Sequence, residues 1–430
     1  MTAVVGILNK TGIAIAADSA VTISTGNKER KIYNSANKVF TLSKYHPVAI
    51  MIYSSAQFNG IPWEILIKEY RKQLGNKSFE ELKNYRTDFI KFLEKRIALI
   101  PKEYQDFRLK GFVDFIVSKL FEEVVESNLE LIEKEPTESK QRTLFKKLLR
   151  TSLKDYLNEA GSYKQNEGFK KLTKAQFLKS NDKFIDEIIG EYFSKVSITK
   201  KDKDSIKNLI YKLSKSDQFF GNYTGLIFAG YGEKEIFPSM LPLKISEVFN
   251  NKIRYIFDTD NQVEITHKSG AGLRPFAQRD VIDLILSGVD NQIQSIVYKT
   301  FDQFLNKFIE LIGKNIEVKD PKLAKQIRGI DSNSILSEFM DEIRKIQLEN
   351  HIKPLMSTIG TLSKEDLSEL AESLIYLTYL KRRMSFSEES VGGPVDVAII
   401  TKGDGFIWMK RKHYFDSDLN HSFINNYLKK

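Results

Sequence analysis

The 430-residue chain contains no cysteine. That removes disulfides, thiolate zinc sites and a cysteine nucleophile at once, and it fits a reducing compartment. Long hydrophobic runs are also missing: nothing approaches the ~20 apolar residues a membrane-spanning helix needs. The opening residues, Met1-Thr2-Ala3-Val4-Val5-Gly6, lack the basic flank and apolar stretch of a signal peptide. A soluble, cytoplasmic protein is therefore expected. Histidine is scarce: His46, His267, His351, His413 and His421 are scattered. They form no His-Glu-x-x-His pair and have no carboxylate set at ligand spacing. No Gly-x-x-x-x-Gly-Lys-Ser/Thr loop is present to cradle phosphate. The sequence implies no metal and no cofactor.

Charge of both signs is abundant. There are 66 Lys+Arg against 56 Asp+Glu, a net charge of +10. A basic balance raises nucleic acid as a partner, but the signs interleave, as in Lys200-Lys201-Asp202-Lys203-Asp204. That pattern argues against nucleic acid. Residues 61–220 hold 33 Lys+Arg and 26 Asp+Glu, so +7 of the excess lies there. Hydrophobic residues at 41% and charged residues at 28% are ordinary globular usage and exclude global disorder.

The periodicity changes along the chain. Ala3 to Leu8 and Ile13 to Ala17 are apolar runs separated by Asn9-Lys10-Thr11-Gly12, which predicts a hairpin. The polar stretch Ser24 to Asn37 reads as loop. Lys38 to Leu42 and Val48 to Tyr53 predict a second strand pair. From Ile61 to about Ser216 the period is helical. Strand character returns at Tyr223 and continues as a meander to Thr266. Ser269-Gly270-Ala271-Gly272 is read as opening a second helical block that begins with Phe276 and runs to Arg383. Val395 to Thr401 and Phe406 to Lys410, joined by Lys402-Gly403-Asp404-Gly405, predict a closing hairpin. None of the strand groups can stand alone, so an α+β arrangement is expected, with sheets packed on each other and helices outside.

The residues with chemical promise lie at the start. A small residue after Met1 permits its removal, which would leave Thr2 first. A free N-terminal threonine has a hydroxyl to attack and an amine to act as its base. That amine titrates near ~8, and a neighbouring ammonium would lower it. Taken singly, the other candidates have plain readings. Asp18 is a turn cap, Lys38 an edge lysine, and Glu388 with Glu389 a solvated helix end.

Together, Thr2-Ala3-Val4-Val5-Gly6-Ile7 and Gly12-Ile13-Ala14-Ile15-Ala16-Ala17-Asp18-Ser19 resemble the start of mature proteasome β subunits and their bacterial relatives. That family comprises N-terminal-nucleophile hydrolases of the proteasome type. In its pattern a Thr opens strand one, Gly-x-x-x-Ala-Ala-Asp-Ser ends strand two, and a lysine begins strand three. Lys38-Val39-Phe40-Thr41-Leu42 matches the last element, with Lys31-Ile32-Tyr33 as a second candidate. Gly225 to Gly230, Ser269 to Gly272, Ser390-Val391-Gly392-Gly393 and Gly403-Asp404-Gly405-Phe406 follow in the family's order.

The resemblance implies a four-layer αββα sandwich, with core 1–75, 221–290 and 356–430. A helical insertion, 76–220, and a second, 291–355, interrupt it. It implies a threonine-type amide or peptide hydrolase with Thr2 as nucleophile, Lys38 tuning its amine and Asp18 orienting Lys38. Glu388 supports the amine, and a backbone N–H near Tyr53 or Ser54 stabilises the oxyanion. The implied substrate is a peptide or protein. There is room for a homo-oligomer and for a protein partner on the helical insertions. Departures from the pattern are Ala271 where a supporting serine is expected, Glu388 where an aspartate is expected, Ala20 after Asp18-Ser19, and Tyr53 in a usually small turn. The alternatives are a catalytically inactive assembly or sensor module built on the same fold, and hydrolysis of a small-molecule amide.

Overall fold

The computed structural model describes residues 2–24, 30–194, 196, 198–220, 223–384, 391–413, 415, 416 and 418–428. In chain order it opens with strands β1 (Ala3–Asn9), β2 (Ile13–Ala17), β3 (Val21–Ser24), β4 (Arg30–Tyr33), β5 (Val39–Thr41), β6 (Val48–Ser54), β7 (Gln57–Phe58) and β8 (Ile61–Pro62). Seven helices follow: α1 (Trp63–Leu74), α2 (Leu82–Arg96), α3 (Lys102–Glu126), α4 (Leu129–Glu133), α5 (Glu138–Ser162), α6 (Lys174–Phe193) and α7 (Lys200–Lys215). Next come β9 (Thr224–Gly230), β10 (Ser239–Phe249), β11 (Lys252–Phe257), β12 (Val263–Glu264) and β13 (Ala271–Ala277). The chain then runs through α8 (Asp280–Ser287), α9 (Asn291–Glu317), α10 (Pro321–Arg328), α11 (Ser332–Gln347), α12 (Lys353–Thr361) and α13 (Lys364–Met384). It closes with β14 (Asp396–Thr401), β15 (Gly405–Lys410) and α14 (His421–Leu428).

The protein is α+β, built on antiparallel sheets with many helices. One large sheet has the order β13-β1-β2-β14-β15 and a second has β11-β10-β9-β6-β5 with β12 beside β10, while β3-β4 and β7-β8 form two-stranded sheets. Every residue of β1 and β2 is buried, which is why both read as unbroken apolar runs. The two-residue period sends alternate side chains to opposite faces. Val4, Leu8, Ile13 and Ile15 join Met51, Ile227 and Met240 of the other sheet in one apolar cluster. Ala3, Val5, Ile7 and Ala14 pack with Ile282, Ile359, Leu367 and Leu374 of α8, α12 and α13. The second sheet likewise turns Val48, Ile50, Leu226 and Phe228 onto α1 and α2, around Trp63, Tyr70 and Phe89. Among the described residues no helix is long and apolar enough to cross a membrane.

Helices α3, α5, α6 and α7 have an apolar core of their own, centred on Val117, Leu149, Phe177 and Ile210, into which β10 inserts Phe249. Threonine caps start α6 and α7: Thr173 with Gln176, and Thr199 with Asp202, each satisfy two orphan N–H groups reciprocally. Arg254 of β11 ties the end of this helical stretch to the sheet. It is 1% exposed and donates to the carbonyls of Ser214 (3.1 Å), Leu213 (3.4 Å), Ser216 (3.3 Å) and Gln218 (2.9 Å). Among the described residues no carboxylate bonds it. The negative end of the α7 dipole and the faces of Phe112, Phe219 and Phe249 hold the charge, and burial lowers its pKa to about 10. Arg254→Met is expected to cost about 3–5 kcal/mol, because it strands several buried carbonyls at once. The check is the urea midpoint; a loss under about 1 kcal/mol would mean the clamp carries little.

Two sequence expectations are corrected. The segment from Ser269 does not open a helix: Ala271–Ala277 is β13, paired along the whole of β1, and the helix waits until Asp280. The Gly-Ala-Gly start and the apolar spacing of Leu273 and Phe276 suit either structure, and pairing with β1 decides for strand. The stretch read as loop from Ser24 to Asn37 contains a strand, β4, which pairs with β3.

Candidate active site

Thr2 lies directly before β1 and is 4% exposed. Its carbonyl accepts the Gln278 N–H at 3.1 Å. Asp18 follows β2 directly. The hairpin register sets Val4 opposite Ala17, so Asp18 arrives across from Ala3. The backbone N–H of Asp18 donates to the Ala3 carbonyl at 3.1 Å, and Asp18 Oδ1 accepts the Ala3 N–H at 2.8 Å.

Lys38 belongs to the other sheet. It precedes β5, and its carbonyl takes the Ile52 N–H at 2.9 Å. Its Nζ donates to Asp18 Oδ1 at 2.6 Å and to the Ala20 carbonyl at 2.6 Å. One carboxylate oxygen therefore joins the backbone beside Thr2 to the lysine of the opposite sheet. Asp18 Oδ2 accepts the N–H groups of Ala20 (3.1 Å) and Gly392 (3.2 Å). Four donors on one buried carboxylate, three of them backbone, fix its orientation.

The plain reading of Lys38 as an edge lysine does not hold, since it is 3% exposed. Burial lowers its pKa below the ordinary lysine value, and the Asp18 charge offsets part of that shift. Two of its three ammonium hydrogens have the acceptors named above. Among the described residues the third has none. Lys31, the second lysine candidate, lies in β4 with its ammonium over the Tyr33 ring.

Behind this pair stands another that the sequence reading missed. Asp396 of β14, opposite Ala17, accepts the Lys412 N–H at 2.9 Å and forms an ion pair with the Lys412 ammonium. Asp396 is 3% exposed. Among the smaller influences on Lys38, the Lys412 charge lowers its pKa and the Asp396 charge raises it. The available signal was a lone carboxylate at the head of an otherwise apolar strand, Asp396-Val397-Ala398-Ile399-Ile400, which cannot stay buried without a partner.

Tyr53 and Ser54 end β6. Tyr53 faces Gly225 across the strands. A Cβ on Gly225 would lie 1.8 Å from the Tyr53 ring, so glycine is what lets the ring lie over its neighbour. The ring packs at 5.6 Å on Phe276 and 6.2 Å on Tyr223, and burial pushes the phenol pKa up, keeping it neutral. Ser54 is exposed and has φ 70°, a left-handed backbone that turns the chain out of the strand.

Ala271 does not reach Thr2. In the β1–β13 register it faces Asn9, while Ala277 faces Ala3, so the two ends of β1 separate it from the threonine. Gln278 occupies that neighbourhood instead. Its side-chain oxygen accepts from Arg382, which also binds Asp280 at 2.9 Å. Glu388 and Glu389 lie outside the described residues. Among the described residues no group of three or more His, Asp or Glu could hold a metal ion.

No protein-family model and no curated protein matches the chain. Solved structures align along 99% of it. Two are from Hyphomicrobium sp. strain MC1. An Anbu (Gly-1) mutant is 9% identical, covered over 95% of its length, with a TM-score of 0.27. Anbu itself is 10% identical, covered over 94%, also at 0.27. A third, Anbu (ancestral beta-subunit) from Yersinia bercovieri, is 10% identical, covered over 94%, at 0.26. The resemblance to proteasome β subunits is therefore corrected. These three structures are Anbu proteins, and agreement of this size assigns the chain to no family.

Proposed function

We propose that the protein is a threonine-type amide hydrolase acting on peptides or proteins, with Thr2 as nucleophile once whatever precedes it is removed. The observation that carries the reading is the single Asp18 oxygen shared by the Ala3 N–H and the Lys38 ammonium. It fixes a buried positive charge next to the residue whose own amine would act as base. In this reading the two sheets and their outer helices form a four-layer αββα sandwich made of 1–75, 221–290 and 356–430. Residues 76–220 and 291–355 are helical insertions.

In the first step the Thr2 hydroxyl gives its proton to the Thr2 amine as its oxygen bonds the substrate carbonyl carbon. The oxyanion is held by backbone N–H donors at Tyr53–Ser54. The tetrahedral intermediate expels the amine half of the substrate, which takes the proton, and leaves an ester on Thr2. Water, deprotonated by the same amine, hydrolyses that ester. Lys38 keeps the amine's pKa down by like-charge repulsion, and Asp18 orients Lys38. Glu388 is retained in the proposal as a support of the amine.

Peptide hydrolysis by protein with a free Thr2 amine, compared with Thr2→Ala, is the test. Hydrolysis that persists in the alanine variant would place the chemistry elsewhere, and an unchanged biological activity of that variant without any hydrolysis would favour the assembly or sensor role. The pH profile has a defined shape. The Thr2 amine must be neutral, so kcat/KM rises through about pH 7–8. Lys38 must be charged, so the rate falls again below the ordinary lysine value of 10.5, because burial has lowered its pKa. A rise that continues beyond that value would contradict the role given to Lys38. Stability responds with the opposite sign. The unfolded chain binds this proton more tightly than the folded one, so the Lys38 contribution grows as pH climbs toward 10.5.

A further inference from the structure

Beside the strand end that carries Ser54 lies a cavity of about 370 Å³, within the ~300–1,000 Å³ range of small-ligand sites. Ser54 and Ser55 form one wall, Thr224 of β9 a second, Ser246 and Glu247 of β10 a third, and Arg108 of α3 closes the side toward the helical stretch. The first two walls are locked together. The Thr224 hydroxyl donates to the Ser55 carbonyl at 3.1 Å and accepts from Trp63 Nε1 at 2.9 Å.

Among the described residues the charged ones lining the cavity are Arg108 and Glu247, and they neutralise each other: Arg108 Nη2 donates to Glu247 Oε1 at 2.6 Å. Glu247 Oε2 accepts the Ser246 hydroxyl at 2.7 Å. Both carboxylate oxygens are thus engaged. The remaining N–H groups of Arg108 donate to no described residue. Among the described residues the lining has no net charge, and the Arg108 guanidinium keeps N–H groups available to a ligand.

We propose that this cavity is a substrate pocket for the carboxamide side chain of a glutamine or asparagine, read by Arg108. The inference rests on the Thr2 reading, because Ser54 belongs both to the oxyanion donors and to the pocket wall. A carboxamide oxygen satisfies the guanidinium without adding charge. A carboxylate would meet Glu247, an ammonium would meet Arg108, and an apolar side chain would leave desolvated N–H groups unpaired, which sites of this kind reject strongly. The helical stretch gains a role from this: α3 supplies the group that selects the substrate.

The experiment uses peptides matched except for one residue near the cleaved bond, which is Gln, Glu or Met, with wild-type protein, Arg108→Met and Arg108→Lys. The expected result is a Gln-to-Met ratio of kcat/KM of at least about tenfold and a Gln-to-Glu ratio above one. Arg108→Met collapses the Gln-to-Met ratio toward one, and Arg108→Lys leaves it intermediate. A wild-type ratio near one, or a ratio unchanged by Arg108→Met, overturns the pocket while leaving the Thr2 reading standing. If no peptide is cleaved, calorimetric binding of the Gln and Met peptides to the wild type and Arg108→Met separates the two claims. A Gln preference that depends on Arg108 keeps the pocket and drops the hydrolase, and its absence drops both.

Discussion

Thr2→Ala is expected to remove amide hydrolysis by at least about a thousandfold in kcat, with the fold intact. The hydroxyl makes no hydrogen bond to any described residue, and the backbone bond from Gln278 to the Thr2 carbonyl does not depend on the side chain. The substitution therefore deletes a reacting atom at a modest structural cost, about 1 kcal/mol for a buried side chain that makes no hydrogen bond to any described residue. Thr2→Ser keeps the hydroxyl and is expected to recover a measurable part of the rate. Turnover assays beside thermal unfolding provide the check. An alanine variant that cleaves at the wild-type rate would place the chemistry elsewhere.

Asp18→Ala is expected to lose both activity and stability. Removing this carboxylate leaves the Lys38 ammonium buried without a counter-charge and leaves the N–H groups of Ala3, Ala20 and Gly392 without their acceptor. Breaking one side of a buried ion pair costs about 3–5 kcal/mol. The variant should therefore unfold at a clearly lower denaturant concentration. The double variant Asp18→Ala/Lys38→Met removes the stranded charge and should recover part of that loss. Equal stability of single and double variants would show that the pair does not act as a coupled unit.

The first hairpin was legible because β1 and β2 are buried on both faces and appear as continuous apolar runs with turn residues between them. Taken singly, Asp18 and Lys38 had plain readings as a turn cap and an edge lysine, and only the resemblance of the segments around them made them candidates. Their contact was not legible. Lys38 comes from the second sheet, and nothing local to residues 37–42 states that β5 faces the end of β2. Ala271 was misplaced for a related reason. Its segment has no periodicity that separates strand from helix, and only register against β1 fixes it six residues along from Ala277. Asp396 and Lys412 lie far apart in character, a buried strand head and a residue beyond β15, and the hairpin geometry alone unites them. The long helical stretch announced its helices clearly through three- and four-residue spacing. The cavity at Arg108 needed β6, β9, β10 and α3 together, so no single segment signalled it.

The most direct test of the central claim is intact-mass and peptide-mapping analysis of purified protein, before and after treatment with a threonine-directed electrophile such as a peptide β-lactone. The account predicts a chain that begins at Thr2, a single adduct located on that residue, and loss of the adduct in Thr2→Ala. A chain that retains Met1 and takes up no label at Thr2, or an adduct that persists in Thr2→Ala, would contradict it.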